Sequence, residues 1–505
     1  MSKTIQLVGL LISITVCVQA QSTAPYVFQV LPYATVQQSG PFAGTIASKT
    51  SCTAAGCSLT PNGLTPDKFT PQPPVFDLAG ALDSSVATAL SVIPVASPAS
   101  GVIIKFDPAT GAELPASSSL GPIFTERAET IGRHKLYIGV STQDFHFTSF
   151  NGQSIRPVQL LDTGGEGANL GSVNGHTTSP PLRYGMSVDV RLSQNLAFLT
   201  YGVTSRLDVS VGLPVVHAAI SAGDFNETIF SGDGFATKSS YCWCQGTLTP
   251  GLAPAKGTTS GLFLQEANFN ALGKTGFGDM LLRAKGTVIE KPRMALALGA
   301  DLRLPTGDEK NFLGTGATAV KPFAALSLYS KPWNNGIVFS PHFNIGWQFA
   351  GKSILGGDIN ATSTTVSVGA FRTAAYGPPF IVSKDYLPDV FSWAVGTEVA
   401  FGKRNTVVLD ILGNQIGWIH GIPNMRTASV SNALPPTVRG TVATPETISG
   451  LVDAGRVSFG QYSGSFGYKA KIAGNLVGTA NVLVRFDNNG LVARAVPLFG
   501  LSYTF

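Results

Sequence analysis

The sequence predicts an all-β fold: a transmembrane antiparallel β-barrel of about twelve strands, with fourteen as the alternative, and an N-terminal segment that plugs the lumen or caps it from the periplasm. Three observations carry this. Charged residues are only 12% of the 505-residue chain, although hydrophobic residues reach 44% and the mean hydropathy is +0.21. Soluble proteins carry roughly twice that charge. Yet after the N-terminus no apolar run is long enough for a spanning helix, which takes about 20 residues. A closed barrel is the other way to satisfy every backbone polar group in lipid. The second observation is period-two alternation through the chain, and the third is the spacing of the connections.

Taken in order, "MSKTIQLVGLLISITVCVQAQS" reads as a secretory signal over residues 1–20. Lys3 supplies the positive end, Ile5 to Val18 the apolar stretch, and Val18-Gln19-Ala20 the subsites for cleavage before Gln21. Val16 is too large for the position ahead of a lipidated cysteine, so Cys17 is not read as a lipid anchor. The chain is therefore expected to be exported, to a bacterial (Gram-negative) outer membrane. Residues 21–133 form an N-terminal periplasmic or plug segment. It holds a Pro-rich stretch, "TPNGLTPDKFTPQPPVF", and a short hairpin in "VIIKFDPATGAEL" around an Asp-Pro turn. Four cysteines remain in the exported chain, an even number that favours local disulfides. Cys52 and Cys57 would close a small loop. Cys242 and Cys244 are one residue apart, which makes a bridged ring strained. No His or acid stands beside either pair, so a metal site is not expected.

From 134 to 505 the chain alternates. In "MALALGADLRL", Met294, Leu296, Leu298, Ala300, Leu302 and Leu304 share one face, and Ala295, Ala297, Gly299, Asp301 and Arg303 the other. "IVFSPHFNIGWQF" and "FSWAVGTEVAF" divide in the same way. Strands are expected near 134–150, 184–203, 206–222, 277–289, 293–305, 317–330, 335–350, 389–402, 405–418, 457–472, 475–487 and 490–505. Their connections alternate short ("TSR", "EKPR", "KPWNN", "GKRN", "AGN") and long, with "DNNG" as the one exception. Outer-membrane barrels show this asymmetry, with short periplasmic turns and longer outer loops. Trp347, Trp393 and Trp418 at strand ends, Trp333 in a short turn, and Tyr503 and Phe505 at the C-terminus are the expected aromatic girdle. In the last stretch, "LVARAVPLFGLSYTF", the face from Leu491 through Ala493, Ala495, Pro497, Phe499, Leu501 and Tyr503 to Phe505 is apolar. It is expected to face lipid as the closing strand.

The same parity puts Asp189, Arg191, Asp208, Asp279, Arg283, Lys285, Asp301, Arg303, Lys321, Glu398, Asp410, Lys469, Lys471, Arg485 and Arg494 on the lumen side, with His342 as a hydrogen-bonded wall residue. Such a set either lines a path for a polar solute or forms a structural ladder of paired charges. Asp301 and Arg303 beside Asp279 and Arg283 look like the ladder. An enzyme is not expected. None of His134, His146, His176, His217, His342 and His420 lies in a His-x-Ser arrangement, of the kind a barrel lipid hydrolase would use, and neither Gly-x-Ser-x-Gly nor His-Glu-x-x-His occurs. "RLPTGDEKN" lacks P-loop and EF-hand spacing. No cofactor is implied, and no basic block suggests nucleic acid.

Two stretches carry a family resemblance. "GPIFTERAETIGRHKLYIGVSTQDF" leads into the first strand, and "GFGDMLLRAKGTVIEKPRMALALGADLRLPTGDEKNFLGTG" covers the fourth and fifth. Both resemble the outer-membrane channel family named for the MetA pathway of phenol degradation, a relative of the FadL-type hydrophobic-compound transporters. Gly276 to Asp279 and Leu304 to Asp308 are the most specific parts, and the resemblance runs loosely over 80–505. It implies passive uptake of small hydrophobic or aromatic molecules. FadL-type relatives have fourteen strands and an Asn-Pro-Ala-type hatch, for which "SPAS" at 97–100 is the nearest match here. The C-terminal Phe499, Leu501, Tyr503 and Phe505 resemble the signature read by the outer-membrane insertion machinery. The expected partners are thus the lipid bilayer, that machinery and a small-molecule solute. The competing expectation is a surface-structural or adhesive barrel acting through its long loops.

Overall fold

The computed structural model describes residues 74–97, 119–156, 182–229, 272–331, 337–357, 371–402, 404–421 and 455–505, together with short strands elsewhere. The signal segment, the cleavage position at Gln21, and Trp333 lie outside the described residues.

Twelve strands form the wall: β1 (Leu136–Phe147), β2 (Leu182–Gly202), β3 (Leu207–Ile229), β4 (Met280–Lys291), β5 (Met294–Leu304), β6 (Ala319–Leu328), β7 (Val338–Ala350), β8 (Val390–Phe401), β9 (Asn405–Gly421), β10 (Gly455–Ala473), β11 (Leu476–Arg485) and β12 (Ala495–Thr504). Each pairs antiparallel with the next, and β12 pairs with β1 through Leu498↔Gln143 and Tyr503↔Ile138. The sheet is closed and leaves no edge. Fourteen strands are excluded. The expected alternation of short and long connections is present from β1 to β11. Its exception is longer than read, because β12 begins at Ala495 and the connection from β11 runs over 486–494, with Leu491–Val492 pairing to Ser149–Phe150.

Along β12 exposure alternates strictly. Pro497, Phe499, Leu501 and Tyr503 face out, while Val496, Leu498, Ser502 and Thr504 are buried. Elsewhere on the wall Ile345, Phe349, Leu409, Ile411 and Phe466 stand about half exposed on the outer face. So continuous an apolar band is incompatible with water and fits lipid. Trp393 is accommodated by its cross-strand partner Gly413, where a Cβ would lie 2.2 Å from the indole.

β2 (21 residues) and β3 (23 residues) are longer than the roughly 9–11 residues a spanning strand needs. At their loop-side ends, and at that of β1, the pattern inverts. Phe145, Phe147, Val188, Val190, Leu192, Val216 and Ile220 point inward as an apolar core, and Asp144, His146, Asp189, Arg191 and His217 point outward. There the wall stands in water and packs around an apolar interior.

That interior is filled by a helix, α1 (Pro74–Val92). Leu82, Val86 and Leu90 join Phe150, Ile155, Phe312, Leu355, Leu387 and Leu491 in one core cluster. From Ala81 to Ser91 every residue but Ala89 is buried, the polar Asp83, Ser84, Ser85 and Thr88 included. Ser85 and Thr88 satisfy their hydroxyls on the carbonyls of Ala81 and Ser84. The expected hairpin is present, with Ile104–Phe106 paired to Glu113–Pro115. Cys52 and Cys57 are register partners of a small hairpin, and Tyr241–Cys244 pairs with Thr45–Ser48. The side chains of all four cysteines lie outside the described residues.

Candidate functional site

The lumen is the candidate site, and the chain's own residues 119–131 cross it. This segment has no repeating pattern of its own. It is held by side chains reaching in from β3, β4 and β6 to β10. Asp410 accepts from Phe124 N (3.1 Å) and Thr125 Oγ1 (2.9 Å). Asn344 brackets Glu126, accepting from its N–H at 2.6 Å and donating to its carbonyl at 3.0 Å. Ser327 accepts from Ala128 N (2.9 Å), and Asp208 from Ile131 N (3.0 Å). Lys469 donates to Pro122 O (2.6 Å), while Lys285 donates to the carbonyls of Arg127 and Glu129 (2.9 Å each). The irregular backbone of the strap cannot satisfy itself, so the wall supplies its partners.

Two charge clusters anchor it. Glu126 takes Lys285 (2.8 Å) and Arg283 (2.9 Å), and Arg283 also forks onto Asp301 at 2.6 and 2.8 Å. Arg127, fully buried, reaches Glu398 at 2.7 Å and Ser119 Oγ at 2.8 Å. Glu398 also meets His342 Nε2 at 3.1 Å, and His342 Nδ1 meets Ser327 Oγ at 2.8 Å. Arg127 Nε and Nη1 and Glu398 Oε2 have no protein partner. Above the strap, Arg303 donates to Leu90 O (2.9 Å) and Ser91 O (3.1 Å), placing a cation on the C-terminal carbonyls of α1. Within α1, burial pushes the Asp83 carboxyl well above its ordinary value, and its Oδ2 has no protein partner.

Most inward-facing charges therefore meet the protein itself. Asp279 faces inward but serves the 305–318 loop, accepting from Gly307 N (3.1 Å) and from Thr315 N and Oγ1 (2.7 Å each). Thr306 Oγ1 closes the same knot on Gly278 O at 2.8 Å. The Gly-Phe-Gly-Asp and Leu-Pro-Thr-Gly-Asp motifs thus touch each other and clamp a loop. Arg485 pairs with Asp487 at the loop-side rim (3.0 Å), and Lys471 stands at the short-turn end of β10.

Three lumen assignments are corrected. Asp189 and Arg191 point outward, with Asp189 3.3 Å from His146 and also paired with Arg156. They lie where the wall has left the lipid and its polar face has turned out. Arg494 is exposed in the 486–494 connection, donating to Asp487 O and Asn488. The strand has broken just before β12, so parity does not carry through it, and Leu491 and Ala493 turn inward to the core cluster instead of facing lipid. Among the aromatic positions, Trp347 packs on Phe349 (6.3 Å) and Phe391 (5.7 Å), Trp393 near Tyr462 (6.4 Å), and Tyr503 against Phe505 (4.5 Å). Trp418 is 67% exposed.

Sequence reasoning missed α1 and the strap. The signal available for the strap was its density of charge and hydroxyls, "TERAET", in a chain otherwise poor in charge.

No protein-family model and no curated protein matches the chain. Among solved structures it is similar to an outer membrane channel from Pseudomonas putida F1, with 11% identity, 75% of this chain and 98% of that one covered, and a TM-score of 0.37. It is also similar to a FadL homologue from Pseudomonas aeruginosa (11% identity, 82% and 98% covered, TM-score 0.29). A third similar structure is the TodX deltaS2S3 mutant monoaromatic hydrocarbon channel (8% identity, 74% and 90% covered, TM-score 0.26).

Proposed function

We propose that this chain is an outer-membrane channel for passive movement of small hydrophobic or aromatic molecules, held shut by its own N-terminal segment. One observation carries the reading: a closed wall, apolar outside, whose inward polar groups are spent on a separate segment of the same chain that is not part of the wall. A barrel that only had to be filled would pair its wall charges with each other. Here Asp410, Asn344, Lys469 and Ser327 bind backbone groups of residues 119–131. The solute class rests on the motifs Gly276 to Asp279 and Leu304 to Asp308. On this reading residues 1–20 are a cleaved signal, 21–133 the plug and 134–505 the barrel. Short turns face the periplasm, the Trp and Tyr residues mark the interfaces, and the C-terminal strand addresses the insertion machinery. Cys52 and Cys57 form a local disulfide.

The test is flux through the purified protein in liposomes, comparing phenol with a small sugar after subtraction of empty-liposome leak, for the full chain and for a chain lacking 24–131, which removes both α1 and the strap. Selective phenol flux that rises on deletion supports the proposal. Equal passage of both solutes means a general porin. No passage of either from the folded barrel, deleted or not, ends the channel reading in favour of a surface-structural barrel, which the water-exposed upper wall of β2 and β3 would suit.

A further inference from the structure

Two inward-facing donors are left over when the strap and α1 have been served. Lys321 on β6 makes no hydrogen bond or ion pair with any described residue, and Gln348 on β7, 8% exposed, leaves its Nε2 without a protein partner. Both line one cavity of about 160 Å³ beside the last turn of α1. Its remaining charged walls are Glu126, Asp301, Arg283 and Arg303. The two acids are both held by Arg283, and Arg303 is tied to the helix carbonyls. Lys321 stands across the strand pair from Asp301 but, unlike Arg303, donates to no acceptor among the described residues. An ammonium drawn partly out of water into a small cavity is costly unless an anion joins it.

The other walls mix the polar Ser91, Asn344, Ser392 and Asn414 with apolar side chains, Phe124 from the strap and Phe323 from β6 among them. A cavity of about 150 Å³ takes one benzene ring. The architecture also makes room for the Lys321 stem. Gly346 faces it from β7, and a Cβ there would lie 2.8 Å from Lys321 Cε.

We propose that this cavity binds a single-ring aromatic monocarboxylate, its carboxylate accepting from Lys321 Nζ and the Gln348 amide and its ring against the two phenylalanines. The inference rests on the channel reading and narrows its solute class from aromatic to anionic aromatic. A charge-assisted pair in a desolvated site outweighs a neutral hydrogen bond, so the carboxylate is the discriminating group.

The test is calorimetric binding of benzoate and of its neutral analogue benzyl alcohol to the folded full chain in detergent at pH 7. Benzoate is expected to bind at least about tenfold more tightly. Lys321→Met should abolish that ratio and Lys321→Arg keep most of it, while Gln348→Glu should weaken benzoate and leave benzyl alcohol unchanged. Equal affinities in the unaltered protein, or a ratio untouched by Lys321→Met, would overturn the proposal. Should Lys321→Met fail to give a heat-resistant barrel, Gly346→Ala decides instead. It crowds the Lys321 stem without removing charge, and an unchanged ratio there counts against the site. Phenol flux without benzoate preference would leave the channel and remove the site. Benzoate binding without flux of any aromatic would do the reverse.

Discussion

Replacing Glu398 with Gln should loosen the strap far more than it loosens the barrel. The pair it breaks joins β8 to residue 127 at 2.7 Å, with both side chains fully buried. Removing one partner of such a pair costs roughly 3–5 kcal/mol, because the other charge stays behind uncompensated. Every 1.4 kcal/mol is about tenfold in an opening equilibrium. Protection of strap amides against hydrogen exchange should therefore fall by roughly two to three and a half orders of magnitude. The informative amides are those of Phe124, Ala128 and Ile131, bonded to Asp410, Ser327 and Asp208. Wall amides of β4 and β5 should keep their protection. The pair is poorly completed, with one short contact and Arg127 Nε and Nη1 and Glu398 Oε2 lacking protein partners. The double change Arg127→Met with Glu398→Met should consequently restore protection to within about tenfold of the natural protein. Unchanged protection in Glu398→Gln, or a double variant worse than the sum of the singles, would refute the reasoning.

The pH response of α1 follows from Asp83. Burial raises its carboxyl, so the seated helix holds a proton that the released helix gives up. Seating is strongest below the ordinary carboxylate range and weakens as pH rises through it. Asp83→Asn should flatten this dependence, read as α1 exchange protection between about pH 3 and 8, a range that begins below the ordinary aspartate value of about 3.9. Asp279→Ala should remove the shared acceptor of Gly307 and Thr315 and cost about 2–3 kcal/mol, seen as early protease cleavage within 305–318 before the barrel melts. Ile345→Arg places a charge on the outer wall, and should lower barrel stability in bilayers by up to roughly 2–4 kcal/mol in a denaturant titration, while Trp418→Arg near a strand end should cost less.

The wall was legible because lipid imposes one rule on every strand. All twelve expected spans fall on β1 to β12, and the terminal "PLFGLSYTF" alternates as read. The errors come from places where that rule lapses. At Asp189 and Arg191 the strand has left the membrane, so water outside and a packed core inside reverse the sign of the pattern. At Arg494 the strand is interrupted, and a parity count carried across a break is meaningless. Helix α1 left no 3.6-residue signature because it is buried on nearly every side and so has no polar face to alternate with an apolar one. Its Ala, Ser and Thr residues read equally well as loop. For the charges on β4 to β10, the partners were not legible. Glu126 and Arg127 lie far from Lys285 and Glu398 in sequence, and only closure of the sheet brings them together.

The strap ends at the very start of β1, and the turn between them passes through Gly132 and His134, both with positive φ (106° and 58°). It is consequently a tethered ligand for its own lumen. A tether this short holds the segment at an effective concentration of order millimolar or above, so a loosened strap rebinds before it wanders. A dilute solute cannot compete it out. Admission would have to be governed by how strongly the socket grips, not by how much solute waits outside, and the flow through such a barrel would follow the occupancy of a latch instead of a concentration threshold.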